Sequence, residues 1–202
     1  DLFLVPHHNG SILAYPPVIE SIKDSDVILI GPGDLFTSII ASLIVPGIKE
    51  AIQSTNARIF YILNIMTKFG ETHDFKGNDF VQKVETYLGR QVDGIICNNR
   101  KPNNRLLKKY LAEKSEFVEI EQLEKRISNR LIYADDLLDS SDEIVRHDSK
   151  KLASLIQSII SQEHFFKCGK LTNDPILMQF ILKGSAKMPI KYKSVKVSQK
   201  IA

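Results

Sequence analysis

The chain carries little cysteine. Cys97 and Cys168 are the two in 202 residues, too few for a disulfide framework, and Cys97 lies inside an apolar run and reads as a small buried hydrophobe. No apolar run reaches the ~20 residues that a membrane helix needs. Asp1–Pro6 lacks the positive region and long apolar core of a signal peptide. Asp1 stands where an initiator Met would, as expected of a processed chain or a fragment. No internal repeat or low-complexity tract is present. Acid is scarce at one end: residues 164–202 hold eight Lys and one acid, Asp174. That segment carries +7, so an overall charge of +3 leaves −4 on the first 163 residues. The basic balance comes from a tail without aromatic interleaving, so nucleic acid is not the expected partner. The tail reads as a solvated extension; an acidic partner or an anionic surface is its functional alternative. With 43% apolar and 25% charged residues, the composition is that of a soluble globular protein, expected in the cytoplasm.

What is present is strand–turn–helix patterning. Val27–Ile30 is a run of four aliphatic residues, long enough for a buried strand and too short for a buried helix. It stops at Gly31, Pro32 and Gly33. Asp34, Thr37 and Ser38 follow, then Ile39, Ile40, Leu43 and Ile44 at helical spacing. A glycine turn at the carboxyl end of a parallel strand, opening a helix, is where open α/β sheets bind ligands, and the outward N–H groups and dipole of a helix start favour an anion. The spacing is neither the GxGxxG of dinucleotide sites nor a P-loop, and no Lys follows where a P-loop needs one. An ordinary tight turn, with Thr37 and Ser38 only capping, is the competing reading.

The remaining elements repeat the pattern. Strands are expected at 2–5, 58–65, 92–98, 117–120 and 130–134. A short helix opens at Pro16-Pro17 and ends near Asp24. Pro46 suits the first turn of the helix that buries Ile48, Ala51 and Ile52. Asn78-Asp79 caps a helix closing at Gly89, Pro102-Asn103 starts another, and Asp148 caps a helix over 149–160. Residues 121–130 read as a surface turn of helix, and 171–182 as a short helix with Pro175 in its first turn. His7-His8 reads as solvated turn histidines, because adjacent side chains in extended structure face opposite ways. Asp135-Asp136 reads as a solvated pair at a strand end. Alternating strands and helices predict a parallel sheet covered on both faces.

Three segments, Gly31–Ile40, Leu43–Ile52 and Asn64–Thr72, resemble in order the 2-phospho-L-lactate transferase superfamily, and most closely its gluconeogenesis-factor branch. The transferase branch has a Ser-Asn-Pro type turn, where this chain has Gly33, Asp34 and Leu35. Arg146, His147 and Asp148 ahead of a Leu-rich helix resemble the C-terminal element of the gluconeogenesis-factor branch. The resemblance spans about Pro17 to Ile160. It implies an α/β, Rossmann-like three-layer sandwich over residues 1–161, followed by a basic extension over 162–202. It also implies binding of a UDP-sugar such as UDP-N-acetylglucosamine, and a role in carbon metabolism and cell shape. The rival it carries is 2-phospho-L-lactate transfer from a guanosine-diphosphate-linked donor to a deazaflavin acceptor, with Mg²⁺. The family begins with a strand and a Gly-Gly-Gly-Thr-Gly type turn that this sequence lacks. A second copy of the chain, or an N-terminal piece, is therefore an expected partner.

Three loops are expected at one sheet edge. The first supplies Gly31, Pro32, Gly33, Asp34, Thr37 and Ser38. The second supplies Asn64, Met66, Thr67, Gly70, Glu71 and Thr72, and the third Asn98 and Asn99. Backbone donors, hydroxyls, amides and one acid suit the phosphates and sugar hydroxyls of a nucleotide. No nucleophile–base pairing, metal-ligand cluster or close carboxylate pair is legible, so no catalytic residue or metal ligand is assigned. Glu71 is expected to accept from a sugar hydroxyl rather than act as a base. The expected protein is a binding factor rather than an enzyme.

Overall fold

The computed structural model describes residues 2–6, 10–120, 123, 130–139 and 143–168, with side chains through 161. The chain divides into two compact units, 1–148 and 149–202; the boundary expected at 161/162 falls inside the second.

The first unit is built on a four-stranded sheet in the order β1-β2-β3-β4, where β1 is Val27–Ile30, β2 Arg58–Ile62, β3 Gly94–Asn98 and β4 Leu131–Asp135. All three pairings are parallel, as the helical crossovers between successive strands allow. The helices are α1 (Pro16–Asp24), α2 (Leu35–Leu43), α3 (Ile48–Ser54), α4 (Gly77–Leu88) and α5 (Asn104–Ala112). The fold is α/β. Because each strand lies beside its sequence neighbour, right-handed crossovers carry the helices between β1 and β2 and between β2 and β3 to one face. There α1 packs on α3, α3 on α4, and α4 on α2. Ile30, Ile59, Tyr61, Leu63, Ile95 and Cys97 point into that layer and join Ile40, Ile52, Phe80, Val84 and Leu88 in one buried cluster. Each large side chain fully withdrawn from water contributes roughly 1.5–3 kcal/mol. The opposite sheet face carries Phe60, Ile62, Ile96 and Tyr133, also buried. Gly94 belongs to this face because a Cβ there would meet the Phe60 ring at 2.8 Å.

Several local expectations shift. Residues 2–6 form no strand; Phe3 and Val5 are exposed, and only Leu2 packs on the core. Of 117–120, Phe117 alone pairs, in a single antiparallel bridge with Met66. Strand β2 stops at Ile62. Helix α3 starts at Ile48, two residues after Pro46, because Gly47 takes the N-cap at φ +100° and donates to the Glu50 carboxylate at 3.0 Å. Helix α4 starts at Gly77, with Asp79 reaching back to accept from Lys76 N–H at 2.7 Å. Asn103 caps α5 as expected, accepting from Leu106 N–H at 2.9 Å. Asp136 pairs with Arg100 at 2.9 Å, so the acidic pair at the end of β4 is not simply solvated. Cys97 is buried, and its thiol donates to the Tyr133 carbonyl at 3.8 Å.

The second unit begins with helix α6, Ser149–Cys168, eight residues longer at its end than expected. The expectations for 7–9, for 121, 122 and 124–129, and for 169–202, including the helix at 171–182 and the Lys-rich tail, lie outside the described residues. No single described helix is long and apolar enough to cross a membrane.

Candidate functional site

Strand β1 ends at Ile30, and the chain turns sharply at Gly31, whose φ is +86°. A Cβ at Gly31 would sit 3.1 Å from the Ile62 carbonyl on the neighbouring strand. Gly31 is thus the glycine that the turn requires. Gly33 has no positive φ, and a Cβ there would press on Ser38 Cβ at 3.2 Å. Helix α2 opens with a π-helical turn, Leu35–Ile40: the Asp34 carbonyl accepts from both Ser38 and Ile39 N–H, at 3.1 and 3.0 Å. The extra residue in that turn leaves Thr37 and Ser38 exposed while Leu35, Ile39 and Ile40 stay buried. Such turns are frequent at functional sites.

Asn64, just past β2, braces the turn from below. Its amide Nδ2 donates to the Gly33 carbonyl at 2.8 Å, and its Oδ1 accepts from the Tyr61 hydroxyl at 3.1 Å. Burial holds the Tyr61 phenol well above its ordinary pKa, so it remains a donor.

The second loop is shaped by its own threonines. Thr67 is buried; its N–H donates to the Glu116 carbonyl at 2.7 Å, and its Oγ1 accepts from Glu116 N–H at 2.8 Å. Beside it Met66 makes the bridge to Phe117. Thr72, also buried, accepts from Lys68 N–H at 2.9 Å. Gly70 turns the loop at φ +83° over open space. Thr67 and Thr72 therefore hold the loop's shape.

Lys68, which the sequence reading did not select, carries the loop's charge. Its ammonium lies 2.6 Å from Asp34 Oδ2 and 2.7 Å from Glu71 Oε1. The hydrogen bond to Asp34, then that to Glu71, raises the Lys68 pKa. Half exposed, it latches the glycine turn to the second loop. A lysine sought inside the glycine turn is missing because the cation arrives from the loop after the next strand; the signal was its place in Asn64–Thr72.

The third loop stands apart. Asn98 is buried, and its Oδ1 accepts from Leu137 N–H at 3.1 Å and Arg100 N–H at 3.3 Å, while Nδ2 donates to the Arg100 carbonyl at 2.6 Å. It stitches β3 to the segment after β4. Asn99 is exposed, and its N–H donates to the Asp135 carbonyl at 2.9 Å.

The first two loops border a cavity of about 550 Å³. Of the expected residues, Pro32, Gly33, Asp34, Asn64, Met66, Thr67, Glu71 and Thr72 line it; Gly31, Thr37, Ser38, Gly70, Asn98 and Asn99 do not. The opposite wall comes from the end of α5 and from 145–147: Tyr110, Glu113, Ser115, Val145, Arg146 and His147. Tyr110 holds that wall, its hydroxyl accepting from Val145 N–H at 3.0 Å. Arg146 is exposed and paired with Asp139 at 2.8 Å. Burial pushes the His147 pKa down, and a hydrogen bond to the Leu63 main chain opposes the shift. Two buried atoms of the lining residues have no hydrogen-bond partner, Glu71 Oε2 and His147 Nε2. Leaving such an atom unsatisfied costs about 1–3 kcal/mol. Among the described residues, no group of three or more His, Cys, Asp or Glu could hold a metal ion.

Comparison with known proteins agrees with this architecture. Residues 2–138 match the family profile described as "2-phospho-L-lactate transferase CofD". The "Putative gluconeogenesis factor" of Thermotoga maritima is 40% identical over 151 residues, covering 72% of this chain and 48% of that protein. The "Gluconeogenesis factor" of Bacillus subtilis is 31% identical over 162 residues, covering 80% of this chain and 50% of that protein. A crystal structure of a Bacillus halodurans protein superimposes with a TM-score of 0.67 at 33% identity, over 72% of this chain and 47% of the other. The chain thus spans about half the length of these relatives. The matched sequence and the matched fold together make it a member of the 2-phospho-L-lactate transferase CofD family.

Proposed function

We propose that the cavity binds a nucleotide-sugar, and that the protein is a UDP-sugar-binding factor serving carbon metabolism and cell shape in the cytoplasm. The observation that carries this reading is the Gly31–Asp34 turn at the carboxyl end of a parallel strand, on the rim of a cavity that also presents the Lys68 ammonium. Phosphates lie at the turn, close to Lys68 and the opening of α2. The strand order does not reverse among β1–β4, so the cavity is set by the loops that follow β1 and β2 at their carboxyl ends and not by a switch point within these strands.

The family description favours a second reading, transfer of a phospholactyl group from a guanosine-diphosphate-linked donor to a deazaflavin acceptor. The described residues do not fit the Mg²⁺ this reaction calls for. Asp34 and Glu71, the carboxylates beside the turn, are both held by Lys68. Calorimetry with UDP-N-acetylglucosamine beside GDP and GTP decides between the readings. Preference for the uridine nucleotide is expected. Preference for the guanosine nucleotides overturns it in favour of the transferase, and no affinity for either removes both.

A further inference from the structure

The cavity's polar groups fall into two sets. Near the rim stands the glycine turn at the opening of α2, whose main-chain N–H groups suit an anion, with Lys68 held between Asp34 and Glu71 beside it. The other set is a carboxylate and an imidazole with an atom each left unsatisfied. Glu71 Oε1 is anchored by Lys68 at 2.7 Å, whereas Glu71 Oε2 is buried without a partner. His147 Nε2, on the other wall of the same cavity, is buried without a partner too.

We infer that Glu71 and His147 form a hydroxyl-binding subsite, which takes the uncharged, sugar-like part of the ligand while its phosphates stay at the rim. The inference rests on the nucleotide-sugar reading. An ionised carboxylate oxygen can only accept, so whatever satisfies Glu71 Oε2 must donate. A phosphate oxygen placed there has no proton to give and is repelled. A hydroxyl or an amide N–H supplies the donor without charge. His147 already donates to the Leu63 main chain, so its neutral imidazole presents Nε2 as an acceptor, which a hydroxyl meets by donating. Lys68 has a second part in this arrangement. By fixing Oε1 it sets the plane of the carboxylate, and with it the direction in which Oε2 accepts.

The test compares UDP-N-acetylglucosamine, UDP and free N-acetylglucosamine on the 202-residue chain. The quantity read is the ratio of affinities for the sugar nucleotide and for UDP. In the parent protein that ratio is expected to be about tenfold or more, the worth of one hydrogen bond to a charged acceptor. Glu71→Gln keeps an oxygen for Lys68 and places an NH₂ group where Oε2 was, turning acceptor into donor. The ratio is expected to fall towards one. His147→Phe keeps the ring and removes its nitrogens, and is expected to lower the ratio in the same direction. Thermal midpoints identify any variant that fails to fold. A parent ratio near one, or an unchanged ratio in both folded variants, overturns the subsite and leaves nucleotide binding standing. If neither nucleotide binds, the nucleotide reading fails by itself. The subsite then stands if saturation-transfer NMR detects free N-acetylglucosamine on the parent and loses it in Glu71→Gln, and falls if no sugar signal is seen.

Discussion

The Asn64 side chain donates to the Gly33 carbonyl at 2.8 Å, linking the end of one strand to the turn after its neighbour. The same amide accepts from buried Tyr61, so the position of the glycine turn is set from inside the core. Asn64→Leu leaves the Gly33 carbonyl and the Tyr61 hydroxyl without this partner. A loss of about 1–3 kcal/mol in unfolding free energy is expected, together with weaker nucleotide binding. Urea denaturation and calorimetry on one preparation measure both. Unchanged stability would show that the brace carries no weight.

The turn glycines should respond unequally. Gly31 has φ +86° and faces the Ile62 carbonyl, whereas Gly33 lacks the positive φ and meets the Ser38 and Ile39 side chains. Gly31→Ala is expected to cost about 1–3 kcal/mol, and Gly33→Ala less. Gly33→Val, with its branched side chain against Ser38, should disturb the start of α2 and affect ligand affinity more than the urea midpoint. The reverse order for the two alanine variants would mean that the turn relaxes freely.

Glu85 and Arg130 form a two-pronged pair, both contacts at 2.7 Å, with side chains 15% and 12% exposed. Glu85 Oε1 also accepts from Val92 N–H at 3.0 Å. Arg130→Ala strands a carboxylate with little access to water and is expected to destabilise by about 3–5 kcal/mol. Removing Glu85 as well should cost less than the sum of the single changes, which a double-mutant cycle measures.

His147 gives a pH dependence with a definite sign. Burial holds its pKa below the ordinary value, so near and below about pH 6.5 the unfolded chain binds more protons than the folded one. Its stabilising contribution is complete above that pH and is lost as pH falls through the lowered folded value. The parent should lose more stability than His147→Phe between neutral and mildly acidic pH. Equal losses in urea titrations at the two ends of that window would contradict the assignment.

The sheet was legible because its signals are local. Val27–Ile30 is too short for a helix and ends at a glycine turn, the runs at 58–65 and 92–98 each precede a helix start, and caps such as Asn103 fix helix starts within a turn. Boundaries slipped where a side chain reached back across several residues, as Asp79 does to Lys76 and Glu50 to Gly47. The first two loops of the candidate site followed from strand ends. The opposite wall did not, because Tyr110 and His147 reach the cavity through tertiary packing that no spacing encodes. Asn98 misled for a related reason. A buried amide at a strand's carboxyl end has the same pattern whether it serves a ligand or, as here, the main chain of Arg100 and Leu137. Lys68 was overlooked because its two carboxylates are 34 and 3 residues away, and only the short separation was visible.

The unreversed strand order also bears on how the sheet assembles. Each strand pairs with its neighbour in sequence, so no ladder must wait for a distant segment, and the sheet can grow like a zipper from any adjacent pair. Such growth resembles that of repeat arrays more than that of a sandwich closed by remote strands. Protection should then be graded. Strands β2 and β3, flanked on both sides, should exchange their amide protons most slowly, and β1 and β4 should open first. The glycine turn hangs from β1, so the rim of the cavity is tied to a margin of the sheet that opens early. A ligand seated there should slow exchange across β1 well beyond the residues it touches.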